Sequence, residues 1–229
     1  MKQKNTILFI TIFMFVMMIV GGTYAYWTWS SDVNKNVVFN TAKGLEDYII
    51  YDEGTSHFVG NFQPSSDYCG GISNTIAFLK TAEASDVDLV ATVNMDVNSI
   101  EDNIRNSDYV KWAITAGDSD SCSSTVINSG TFKNVVDGST ITLETNIGIG
   151  VFTDESGNSI SKSSADTMLD SNDGLYNTNL EYFRENANSK GNMFTIWIWI
   201  DESGSDLSSL SSETIDVNIW TQIDMVVEN

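Results

Sequence analysis

The sequence predicts an all-β fold: an antiparallel β-sandwich of jelly-roll type with one or two short helices, preceded by an N-terminal signal helix. Three observations predict it. Past the signal segment the dominant hydrophobic period is two. Turn signals are frequent and short, at Asn128-Ser129-Gly130, Asp137-Gly138, Ser156-Gly157-Asn158 and Glu202-Ser203-Gly204. Helical periodicity is sparse, so the strands must bury their apolar faces against one another.

The signal comes first. The chain opens Met1-Lys2-Gln3-Lys4, runs apolar from Ile7 to Val20 apart from Thr11, and continues Gly21-Gly22-Thr23-Tyr24-Ala25. Two lysines, a short apolar run and a small residue at the cut position make a secretory signal. The run is shorter than the roughly 20 residues of a membrane span. Cleavage is expected between Ala25 and Tyr26, which sets a signal peptide at residues 1–25 and one sandwich domain at 26–229. The product is expected to be secreted, extracellular or at the cell surface, touching membrane only through the signal before cleavage. If residues 7–20 are retained instead, the strand that follows is tethered.

Cleavage would expose Tyr26-Trp27-Thr28-Trp29. Trp27 and Trp29 share one face at strand period, and Val37 and Phe39 share one further on. An apolar strand at a free terminus must pair, on its own sheet or on a neighbour's edge. Trp27, Trp29, Val37 and Phe39 are therefore the candidate donor strand.

The strands follow in order. From Val87 to Val97 one face is apolar and the other carries Asp88, Thr92, Asn94 and Asp96. Tyr109 to Thr115 sets Val110, Trp112 and Ile114 on one side. Thr140 to Val151 sets Ile141, Leu143, Ile147, Ile149 and Val151 in register. Met193 to Ile200 is apolar on both faces, which predicts a central strand or one whose second face is covered by a loop or another subunit. Thr214 to Met225 returns to alternation. Ser99-Ile100-Glu101-Asp102 reads as a capping box opening a short helix to Arg105. A second helix is expected within Asp173–Asn188, with a Glu181–Arg184 pair. Residues 154–174 read as a long exposed loop.

The chain has 229 residues and a formal net charge of −20, and the part after Ala25 carries 9 basic against 31 acidic residues. No Lys/Arg cluster appears, which argues against nucleic acid or an anionic lipid surface as partner. The aromatic content of 11% separates it from disordered acidic chains. Cys69 and Cys122 both lie in the exported part, in polar contexts, and are expected to form a disulfide between loops, the alternative being two free thiols.

Catalytic chemistry has little to stand on. His57 is the only histidine, and its surroundings Thr55-Ser56-His57-Phe58 match no nucleophile or metal motif. There is no His-Glu-x-x-His signature, nucleophile elbow or phosphate-binding glycine loop. Asp170-Ser171-Asn172-Asp173-Gly174 and Asp154-Glu155-Ser156-Gly157-Asn158 are incomplete as calcium loops and read as solvated acidic loops. Carboxylate pairs are common in so acidic a chain and make weak evidence for glycosidase chemistry. No catalytic, cofactor-binding or metal-binding residue is assigned, and no cofactor is expected. Trp197 and Trp199, inside an apolar strand, are expected in a core or interface rather than on a carbohydrate platform.

The junction Gly21-Gly22-Thr23-Tyr24-Ala25-Tyr26-Trp27, the segment Asn36-Val37-Val38-Phe39-Asn40-Thr41-Ala42-Lys43-Gly44-Leu45 and the final strand Asp216-Val217-Asn218-Ile219-Trp220-Thr221-Gln222 resemble the TasA/camelysin (CalY) family of secreted biofilm-matrix fibre proteins. The resemblance covers the first forty-odd residues and the last fifteen or so. It implies a dedicated signal peptidase, a jelly-roll sandwich, and polymerisation in which one subunit's N-terminal strand completes the next subunit's sheet. The cysteine pair departs from the family pattern, as does the lack of long lysine-rich insertions. The function expected is a non-enzymatic structural or assembly subunit of an extracellular matrix or surface fibre, with itself or related matrix subunits as partners. The alternative is a surface binding module, for glycans, using exposed aromatics and acidic loops.

Overall fold

The computed structural model describes residues 37–39, 44–52, 57–60, 64–118, 124–170, 178–204, 207–210 and 213–226. The chain divides into Met1–Lys35 and Asn36–Asn229, and every described residue belongs to the second unit. The signal, the Ala25–Tyr26 junction, Trp27, Trp29 and Cys122 lie outside the described residues.

Eleven strands are described: β1 (Val37–Phe39), β2 (Ile49–Asp52), β3 (His57–Gly60), β4 (Pro64–Ser65), β5 (Ile72–Lys80), β6 (Leu89–Ile100), β7 (Val110–Ala116), β8 (Val126–Thr131), β9 (Ser139–Gly148), β10 (Met193–Asp201) and β11 (Ile215–Met225). Three α-helices accompany them, α1 (Asp102–Arg105), α2 (Lys162–Asp170) and α3 (Thr178–Ser189), one more than expected. The first sheet runs β1-β11-β6-β9, with β3 also on β11; the second runs β2-β5-β10-β7-β8, with β4 also on β10. The pairs are antiparallel except β1 on β11 and β4 on β10.

Alternation explains how the sheets meet. Leu89, Ala91, Val93, Met95 and Val97 of β6 and Ile215, Val217, Ile219 and Ile223 of β11 are buried on one face of the first sheet. They join Ile76 and Phe78 of β5, Val110, Trp112 and Ile114 of β7, and Phe194, Ile196, Ile198 and Ile200 of β10 in one shared core. Each fully buried aliphatic side chain contributes about 1.5–3 kcal/mol, and Ile76, Ile114, Ile196 and Ile219 are all at 0% exposure.

β10 is central, as its two apolar faces predict, and its second face is covered from within the chain. Over β5 and β10, Ala165 of α2 and Phe183 and Ala187 of α3 pack with Ala77, Leu79, Phe152 and Met193. Phe152 and Phe183 meet edge to face at 5.4 Å. Further along the strand, Trp197 and Trp199 pack with Ala113 and Tyr68.

Several local readings change. α2 occupies the middle of the stretch expected to be an exposed loop, because buried Ala165 and partly buried Met168 and Leu169 at helical spacing supply a narrow apolar face. Asn128-Ser129-Gly130 is strand, not turn, since a Cβ on Gly130 would sit 2.7 Å from the Trp112 ring, so glycine lets β8 lie against that indole. β9 stops at Gly148 rather than Val151. The chain then crosses toward the second sheet, where Val151 bridges Lys80 and the Asn192 amide holds Gly150 N–H at 2.7 Å and Gly148 C=O at 2.8 Å. Ser99 stays in the β6 ladder opposite Asp216, so α1 begins from Glu101 without a side-chain cap. Arg184 of α3 reaches across to β2, its Nε donating to Asp52 Oδ2 at 2.5 Å, which takes it away from the expected pairing along the helix.

Candidate functional site

The edge of β11 is the most unusual feature of the first sheet. On one side β6 pairs with it from Ile215 to Met225. On the other side the described cover comes in two pieces. β3 pairs antiparallel with residues 215–218, and β1 pairs parallel with residues 221–223 through Val37↔Thr221, Val38↔Gln222 and Phe39↔Ile223. Ile219 and Trp220 fall between the two pieces. Val37 and Phe39 of the candidate donor strand are thus at this edge, in register with two buried β11 positions. His57 belongs to β3, opposite Asn218.

The energetics of β1 are marginal. Ordering three residues costs about 1–2 kcal/mol each, while each backbone hydrogen bond returns about 1 kcal/mol net. The ladder alone therefore contributes little to holding β1.

A second site surrounds Cys69. Asp67 opens a short 3₁₀ turn, Tyr68–Gly70, by accepting from Cys69 N–H at 3.1 Å. The turn presses Tyr68 onto the second sheet, with ring centroids 5.2 Å from Trp197 and 6.3 Å from Trp199. Trp197 Nε1 donates to Thr115 Oγ1 at 3.0 Å, and Tyr68 Oη donates to Ser124 C=O at 3.1 Å. The close approach needs Gly71, where a Cβ would sit 2.3 Å from Ile198 O. Cys122, the partner expected for Cys69, lies outside the described residues.

The described tryptophans give little to a carbohydrate platform. Trp112, Trp197 and Trp199 are buried. Trp220 is half-buried on the outer face of β11, with its Nε1 buried and unpaired among the described residues.

Two carboxyl groups do meet. Glu101 and Glu213 share a hydrogen bond, which pulls Glu101 below the usual carboxylate range and pushes Glu213 above it. Thr214 donates to Glu101 through N–H and hydroxyl, and Asn103 Nδ2 donates to Glu213 Oε1 at 2.6 Å. Glycosidase carboxyls stand about 5 Å or more apart with the glycosidic bond between them; a hydrogen-bonded pair leaves no room for that. Among the described residues no group of three His, Cys, Asp or Glu side chains is placed to hold a metal ion.

An open cleft of about 680 Å³ lies between the 154–158 turn and the first turns of α2 and α3. The Asp154 carboxylate accepts from Asn158 Nδ2 at 3.0 Å and Asn158 N–H at 2.7 Å, and these bonds hold it below the usual range. Asp154 therefore closes its own turn, which is the solvated-loop reading of that motif. Residues 171–174 of the second acidic motif lie outside the described residues. Tyr182 donates to Thr153 C=O at 2.8 Å; desolvation, and then the charges of Glu155 and Asp154, push its phenol up.

Compared with family models, with curated proteins and with solved structures, the chain finds no match.

Proposed function

We propose that this chain is an exported, non-enzymatic sandwich of jelly-roll type that serves as a structural or assembly subunit of an extracellular matrix or surface fibre. Its N-terminal strand is exchanged between subunits, and its partners are further copies of itself or related matrix subunits. The observation that carries the reading is the divided edge of β11. Among the described residues, an eleven-residue strand paired along one side by β6 is covered on the other by segments of three and four residues. The three-residue segment lies near the terminus that signal cleavage would free, Val37 coming after residues 26–36. A neighbour's copy of the same segment can take the same register, because the pairing that opens within one chain re-forms between two. The TasA/camelysin-like junction supports the same reading.

Negative-stain electron microscopy and sedimentation of protein beginning at Tyr26 test it. Filaments or a concentration-dependent series of oligomers are expected. Monomers alone, across pH, salt and calcium, with no partner subunit recovered, would sink it.

A further inference from the structure

We propose that the cleft between the 154–158 turn and α2 and α3 binds a cationic sugar, a hexosamine unit carrying a free ammonium group. Three features of the lining select this chemistry, and none depends on strand exchange.

Charge comes first. Asp154 and Glu155 stand at the cleft, and among the described residues no lysine or arginine lines it. The nearest cation in sequence, Lys162, is taken up by an ion pair with Asp166 one helical turn on. Asp154 spends its oxygens on its own turn, whereas Glu155 is exposed on the rim. Phosphate, sulfate and uronic acid ligands are disfavoured by this field, and an ammonium is favoured.

Hydrogen-bonding chemistry comes second. Ser159, Ser164 and Thr178 add hydroxyl groups from three separate segments. Hydroxyls both donate and accept, so they match a polyol better than a plain alkylamine, which offers them nothing beyond its charge.

The floor comes third. Met168 and the Tyr182 ring line the cleft, and Tyr182 is backed by Phe152 with ring centroids 6.0 Å apart. Its hydroxyl is anchored to Thr153, which fixes the ring. An aromatic wall held in place beside a methionine suits the C–H face of a pyranose. The volume, about 680 Å³, lies within the roughly 300–1,000 Å³ typical of small-ligand sites.

Calorimetric titration with a β-1,4-linked glucosamine trisaccharide, its N-acetylated counterpart and tri-lysine tests the assignment. The glucosamine trisaccharide is expected to bind with a Kd of about a millimolar or tighter, and the acetylated sugar about fivefold or more weakly. Glu155→Gln, at an exposed position, is expected to weaken binding by about fivefold. Ser164→Trp is expected to fill the cleft and abolish binding. Glu202→Gln, an exposed carboxylate elsewhere, is expected to leave binding unchanged. Absence of saturable binding overturns the proposal. So does equal binding of tri-lysine, or an equal loss in Glu202→Gln, since either shows general attraction to an acidic protein. Should Ser164→Trp fail to fold, Glu155→Gln against Glu202→Gln still decides. Binding in a chain that never forms filaments keeps this site and rejects the assembly reading; filaments without binding do the reverse.

Discussion

Removing β1 separates an exchangeable strand from an integral one. A chain beginning at Asn40 lacks the three register pairs to Thr221, Gln222 and Ile223. Three backbone hydrogen bonds at about 1 kcal/mol net, set against the cost of ordering three residues at about 1–2 kcal/mol each, leave little from the ladder. We expect a total loss in stability of about 1–2 kcal/mol. In a domain of this size that lowers Tm by about 2–8 °C. The shared core, from Ile76 to Ile223, is untouched, so melting should remain cooperative. Assembly should be lost. A synthetic peptide covering residues 26–41 should bind the truncated chain and restore stability, by about 2.7 kcal/mol when supplied at a hundred times its Kd. Circular dichroism melts with and without peptide, and sedimentation of both proteins, give the readout. A truncated chain that still assembles, that does not fold, or that ignores the peptide would refute the reasoning.

Two other predictions concern stability. Asp201 pairs with Lys111 and accepts from Ser203 N–H, interactions that lower its carboxyl from 3.8 to about 2. A depressed carboxylate stabilises above its unfolded pKa, so the contribution, about 1 kcal/mol after solvent screening, is full above pH 4 and is lost as pH falls toward 2. Denaturant melts of Asp201→Asn should therefore differ from wild type at pH 6 and converge with it near pH 2; a constant difference across that range would contradict the assignment. Non-reducing peptide mapping should recover Cys69 joined to Cys122, and reduction should cost about 4 kcal/mol in the chain-entropy model; two free thiols would remove that staple from the account.

Much of the architecture is legible where side chains obey a single period. β6, β7 and β11 alternate cleanly, and the doubly apolar run of β10 marks it as central. β5 is hidden because its buried stretch includes Asn74, Thr75 and Lys80, polar residues that break the alternation. Those groups are tolerated because they are bonded: Thr75 Oγ1 meets Thr195 Oγ1 at 2.9 Å, and Lys80 Nζ donates to Val87 C=O at 2.6 Å. α2 is hidden for the opposite reason, since serines and aspartates surround an apolar face of only three residues, Ala165, Met168 and Leu169. The divided edge of β11 has almost no sequence signal. Segments of three and four residues are too short for periodicity, and their pairing is decided by a strand more than 150 positions away. The cleft is equally silent, being assembled from a turn and two helix ends that meet only in the folded chain.

The register Val38↔Gln222 offers the most direct test of strand exchange. Val38→Cys and Gln222→Cys are placed in separate chains that begin at Tyr26, mixed under assembly conditions and oxidised, and the products are separated on a non-reducing gel. Strand exchange predicts covalent dimers, and longer ladders when both cysteines are in one chain. If β1 always stays on its own sheet, the mixed chains remain monomeric and the double variant closes only on itself, and the account of assembly fails.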